Sequence, residues 1–291
     1  MRHSFKDTYT LKSWAEFRPL IHEIRRHYGV APNELEASAS AGSKNQMLFR
    51  GEPDAEAESA LKTTLERRSD AHFDLMQYIQ VVDSCINEIE SFSGKHWGGW
   101  SCLQLIEEIK RVESARRFYL PDKIYPYLVY LRHHGFPSPF LDWTASPYIA
   151  AYFAFCNQVR PARAAVYVFI EKARNPEPIP GFTRLPATII QTLGPHVTTH
   201  PRHFAQQAWY TVAAKWSRDR KAWSFCPHPE FFKGKDGNRD VVIKITIPTA
   251  ERRRILRELD DYNINHFTLY QSEDSLVRAL EIKRFDIAGM G

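Results

Sequence analysis

The densest chemistry in the chain lies in HHGFPSPFLDWTAS (133–146), which sets two imidazoles, a carboxylate, an indole and the hydroxyls of Thr144 and Ser146 close together. Directly after it comes PYIAAYFAF (147–155), a segment with almost no polar side chain. A helix that apolar is buried on nearly every side, so the polar residues ahead of it sit at the mouth of something. Ser146-Pro147 is a helix start, with serine as N-cap and proline at the first helical position, and capping alone accounts for Ser146. In the helix, Ile149, Tyr152, Phe153 and Cys156 fall on one apolar face, while Ala150, Ala151 and Ala154 are small enough for another element to approach closely. FLDWT (140–144) has the propensity of a strand end, and Asp142 interrupts its apolar run. A buried aspartate needs hydrogen bonds or a cation, so Asp142 is a structural anchor or a site residue. His133-His134-Gly135 reads as a helix end. A metal site built on His133, His134 and Asp142 is disfavoured, because adjacent helical residues point about 100° apart. No metal is expected.

A second set of polar residues follows short strands. MLFRG (47–51) is an apolar run ending in Arg50-Gly51. An arginine at a strand exit can make charge-assisted contacts with phosphate or ribose oxygens, and the glycine argues for close backbone approach. HVTTHPRHF (196–204) adds three histidines and Arg202, either along a cleft or in a wet loop. Trp, Tyr, Arg and Lys then interleave through AQQAWYTVAAKWSRDRKAW, a pattern suited to nucleic acid, with Arg202, His203 and Trp209 as candidate acceptor contacts.

The elements that must position these groups follow from periodicity. Trp14, Phe17, Ile21 and Ile24 recur at helix spacing within 8–30, and 56–92 and 101–134 are helical, the latter broken near LPDKIYP. AAVYVFIE (164–171) and DVVIKITIP (240–248) are strands. Residues 182–235 read as irregular, 249–260 as a charged helix, FTLYQ (267–271) as a short strand and 272–284 as a helix capped by Ser272. The polar stretches 33–46 and 175–182 read as connections. The expected fold is α+β, with a helical N-terminal half on a small, split, mostly antiparallel sheet. Residues 1–45 form an N-terminal helical segment and 46–291 the main domain.

At 291 residues and net charge +5, the chain is long enough for a real core and mildly basic, which leaves room for an anionic partner. Four scattered cysteines form no CxxC pair, which disfavours a disulfide framework or structural zinc. No apolar run approaches a membrane span of roughly 20 residues and no signal core opens the chain, so the expected compartment is the cytoplasm, without a membrane.

LFRGE (48–52) together with HHGFPSPFLDWTASPYIAAYFAF (133–155) resembles the FRG domain, a family named for its Phe-Arg-Gly motif, with QQAWYT (206–211) similar to a third family segment. The resemblance runs over about 45–275. Pro139, Ser138 and Ala208 stand where the family often has arginine, threonine and glycine. The FRG domain in turn resembles divergent ADP-ribosyltransferases, with Arg50 matching their early arginine and Thr144-Ala145-Ser146 their Ser/Thr-x-Ser turn. That resemblance implies NAD+ as co-substrate. Arg50 and His134 would hold phosphate or ribose, Thr144 and Ser146 would fix Arg50 or the ribose, Asp142 would line the same pocket, and Trp143 or Tyr148 would stack on nicotinamide. Gln207, or less favourably Glu273 of QSED, would be the third catalytic element, though Glu273 also suits a helix first turn. The implied acceptor is a macromolecule, RNA or DNA among the candidates, and the implied setting a toxin of a bacterial defence or toxin–antitoxin system with an antitoxin protein. The alternative is a non-catalytic nucleotide- or nucleic-acid-binding module on the same fold.

Overall fold

The computed structural model describes residues 7–30, 46–68, 73–97, 99–158, 161–171, 188–194, 201–229 and 240–289. The fold is α+β. Its strands are β1 (Thr8–Thr10), β2 (Gln46–Glu52), β3 (Phe140–Thr144), β4 (Arg163–Glu171), β5 (Thr188–Leu193), β6 (Ala208–Ser217), β7 (Ala222–Phe225) and β8 (Val241–Pro248). They form one sheet in the order β1-β8-β4-β2-β3-β6-β5, with β7 paired to β6. All neighbours are antiparallel except β1 and β8, which run parallel. β4 is buried along its centre because both faces are covered, and its unbroken apolar run has that cause.

One junction is thin. β2 and β4 pair over seven residues and β3 and β6 over five, yet β2 meets β3 only at Phe49↔Thr144. The sheet is continuous but narrows there to a single pair, and with eight strands it is not the small sheet expected.

The helices are α1 (Phe17–Tyr28), α2 (Thr64–Arg68), α3 (Leu75–Asp83), α4 (Ile86–Ser93), α5 (Cys102–Glu113), α6 (Tyr125–His133), α7 (Pro147–Phe155), α8 (Pro201–Ala205), α9 (Arg252–Asp261), α10 (His266–Tyr270) and α11 (Glu273–Glu281). Trp14, Phe17, Ile21 and Ile24 are all buried, and with α7, α9, β4 and β8 they build one core cluster. A second cluster packs α3, α5 and α6 on the β3–β6 half, with capping boxes at Asp74 and Ser101 starting α3 and α5.

Several expectations are corrected. Residues 8–10 are not helical: β1 adds to the edge of β8. β5, β6 and β7 lie in the stretch read as irregular, where β6 alone runs ten residues. FTLYQ is not a strand; Asn265 caps it as helix α10 and Gln271 ends it in the left-handed conformation. Residues 33–45 and 175–182 lie outside the described residues. Among the described residues no helix is long and apolar enough to cross a membrane.

Candidate functional site

A cleft of about 300 Å³ opens where β2 and β3 part. Its walls come from β2 (Arg50), α6 (Arg132, His133), β3 (Asp142, Thr144), α7 (Phe153), the end of α8 (Arg202, Gln206), β6 (Tyr210) and α10 (Tyr270). Local sequence places each of them. Ser146 takes extended backbone angles and its Oγ accepts from the Ile149 amide at 3.3 Å, with Pro147 following, so α7 starts immediately after β3. α7 then lies directly on β2. A Cβ on Gly51 would come within 1.9 Å of the Ala150 carbonyl oxygen and 2.7 Å of the Ala154 nitrogen. The glycine serves close approach, as its sequence suggested, and the approaching element is the alanine face of α7.

Arg50 bridges the opening in the sheet. Its Nε donates to the Ala60 carbonyl at 2.9 Å, its Nη1 to the Asp142 carbonyl at 3.1 Å, and Glu52 lies 3.9 Å from Nη2. Burial lowers its pKa, while Asp142 and Glu52 act against that shift. Where β2 and β3 have lost their ladder, a guanidinium stands in for backbone donors. Asp142 is only partly buried, and the cation it pairs with is Arg132. Arg132 Nε donates to Oδ1 at 3.2 Å, Nη2 to Oδ2, and Nη1 to Thr64 Oγ1 at 3.1 Å. Burial would raise the Asp142 carboxyl, but Arg132, and then Arg50 and His133, hold it below the usual aspartate range. The carboxylate keeps 43% of its side-chain surface open, so it is anchor and wall at once.

The other wall is tied by hydroxyls and carbonyls. Thr144 Oγ1 donates to the Gln206 carbonyl at 2.7 Å and accepts from the Ser146 amide at 3.1 Å. Gln206 Nε2 donates to the Leu269 carbonyl at 3.1 Å. Arg202 Nη2 donates to the His133 carbonyl at 2.7 Å, with its guanidinium 5.8 Å from the Tyr270 ring centroid. His133 Nε2 and the Tyr210 hydroxyl share a hydrogen bond of 2.9 Å, and burial pushes the Tyr210 phenol up.

Of the residues named from sequence, Arg50, Asp142, Trp143, Thr144 and Arg202 line the cleft. The others sit elsewhere. The Trp143 ring is buried in a third core cluster, where Nε1 donates to Thr211 Oγ1 at 2.8 Å, so it is not placed for stacking on a ligand. Tyr148 packs edge-on against Trp14, Phe17 and Tyr262, on the side of α7 that meets the N-terminal helix. Ser146 caps α7, and Thr144 bonds the Gln206 carbonyl rather than Arg50. His134 ends α6 exposed, against Tyr130, and it is its neighbour His133 that turns to the cleft. Gln207 is exposed with φ of 47°, a turn residue whose carbonyl accepts from Ala145; Gln206 holds the inward position. Glu273 is an exposed first-turn residue of α11, where the helix dipole explains it. His203 is buried against Tyr210, and Trp209 packs in the third cluster beside Gly194.

Arg132, Tyr210 and Tyr270 were missed, while His133 and Gln206 were passed over in favour of His134 and Gln207. For Arg132 a signal existed: Asp142 demanded a cation, and the preceding helix ends in Arg-His-His. Tyr270 carried none, because its stretch was read as a strand.

No curated protein and no solved structure matches the chain. A family model does, over residues 45–163, and it takes in β2 with Arg50-Gly51, β3 and α7, while Gln206 and Glu273 fall beyond its end. The matching model is that of the FRG domain, and it spans the cleft residues of β2, α6, β3 and α7, while Arg202, Gln206, Tyr210 and Tyr270 lie beyond it.

Proposed function

We propose that the cleft takes up NAD+ and that the chain transfers its ADP-ribose to a macromolecular acceptor, RNA and DNA foremost. The supporting observation is the charge of the walls. Three guanidinium groups, Arg50, Arg132 and Arg202, line the cleft beside one lining carboxylate, Asp142, and guanidinium is the side chain best suited to the oxygens of a pyrophosphate. Phe153 and Tyr270 offer aromatic surface for a planar ring. The volume sits at the lower end of the range for ligand clefts, roughly 300–1,000 Å³, which suits one half of a dinucleotide enclosed and the other at the mouth.

In the transfer, the bond between ribose C1′ and the nicotinamide nitrogen breaks, its electron pair leaves with the ring, and the ring becomes neutral. An acceptor oxygen or nitrogen bonds C1′ and gives its proton to water. Asp142, ionised and gripped at both oxygens by Arg132, is suited to steadying the cation-like ribose and poorly suited to taking a proton. The resemblance to the FRG domain family extends the reading to a toxin of a bacterial defence or toxin–antitoxin system, held in check by an antitoxin protein.

The position of Glu273 outside the cleft favours a second reading, a non-catalytic nucleotide- or nucleic-acid-binding module. Labelled NAD+ incubated with RNA, DNA and protein, alongside calorimetry with NAD+, separates the two. Transfer supports the enzyme, and binding without turnover supports the module. No binding of NAD+ or nucleic acid refutes both.

A further inference from the structure

The last α-helix leaves an apolar face uncovered. On α11, Leu276, Val277 and Leu280 are exposed, Val277 at 67%, and Phe285 in the π-helical turn that follows is exposed at 62%. At 3.6 residues per turn, Glu273, Leu276, Val277 and Leu280 fall within one arc of about 100°. Ser275 and Ile282 turn the opposite way, into the core.

The charges around this face divide into two kinds. Arg278 pairs with Glu281 at 2.6 Å and Lys283 with Asp260 at 2.9 Å, both inside the chain. Glu273 and Asp274 at the start of the helix, and Arg284 after its end, are exposed and make no ion pair among the described residues. The stripe is thus acidic at one end, apolar in the middle and basic at the other. A peptide of a single charge sign would match one end and oppose the other. The same stripe running the opposite way matches both.

We propose that this face pairs with the same face of a second copy of the chain, the two helices lying antiparallel across a two-fold axis. The contact is isologous, with Glu273 meeting Arg284 of the partner subunit and the leucines interdigitating between. Antiparallel alignment also sets each helix dipole against its opposite. A nine-residue helix is only about 14 Å long. One such pair falls short of the roughly 1,200 Å² of a stable interface, so the association is concentration-dependent, with Kd on the order of 10 μM.

Sedimentation velocity of the full chain from about 1 to 200 μM tests this. The expected result is a monomer–dimer equilibrium that Leu280→Glu, and separately Arg284→Glu, weakens at least about tenfold with unchanged circular dichroism and melting temperature. Glu273→Arg combined with Arg284→Glu restores dimerisation to near the parent level. A chain that stays monomeric throughout overturns the proposal, as does a dimer indifferent to Leu280→Glu. A dimer that Arg284→Glu weakens but the charge swap does not rescue overturns the antiparallel arrangement, and so does occupation of the stripe by a different protein while the chain remains monomeric.

Discussion

Replacing Gly51 by alanine probes the contact on which the cleft is built. The added methyl carbon would sit 1.9 Å from the Ala150 carbonyl oxygen and 3.0 Å from its carbon. Carbon–oxygen contacts in proteins settle at about 3.3–3.6 Å, so α7 must retreat by about 1.4 Å or β2 must bend away by the same amount. Neither yields easily, because the opposing atoms are backbone and both elements lie in one core cluster. Overpacking costs about 1–3 kcal/mol where side chains can shift, and a backbone-on-backbone clash belongs at or above the top of that range. A loss of about 3 kcal/mol lowers the melting temperature by about 6–12 °C. Gly135→Ala is the control. Its φ is +83° and nothing lies within 4 Å of the new carbon, so it reports only the conformational penalty, about 1 kcal/mol. Thermal and urea unfolding followed by circular dichroism measure both. A Gly51→Ala chain that melts within about 2 °C of the parent, or no lower than Gly135→Ala, refutes the claim that α7 is seated on β2 by this glycine.

Three further outcomes follow from the same geometry. Burial lowers the pKa of His228 to about 3, with Arg50 adding to the shift. Unfolded chains therefore take up a proton below about pH 6.5 that the folded chain refuses, and stability falls as pH drops from there towards 3. His228→Asn removes this single-proton component, about 1.4 kcal/mol per pH unit, from urea unfolding curves between pH 6 and 4; an unchanged slope contradicts it. Arg202→Ala takes one cation from the cleft and should raise the Kd for NAD+ about 10- to 100-fold by calorimetry, the worth of one charge-assisted hydrogen bond. Ser146→Ala should cost about 1 kcal/mol of stability through the lost cap; a Kd for NAD+ raised tenfold or more would restore Ser146 to the binding surface.

What could be read from the residue string is whatever short-range physics decides. Apolar runs rich in β-branched and aromatic residues marked β2, β3, β4 and β8, and period-3.6 runs marked α1 and α7, because propensity and helical spacing are local. Ser146-Pro147 announced a helix start for the same reason, and Asp142 announced a missing cation because an ion cannot be buried alone. β1 was not legible as a strand, since Thr8 to Thr10 owe their conformation to pairing with Lys244 to Thr246, and β5 and β7 are short strands that owe theirs to pairing with β6. The choice between His133 and His134, and between Gln206 and Gln207, likewise lay beyond the sequence. One residue of phase turns a side chain inwards or outwards, and that phase is set by where α6 and α8 dock. The cleft itself, with three arginines drawn from β2, α6 and α8, exists only because β2 and β3 part after a single pair, a property of the folded sheet and of no local stretch.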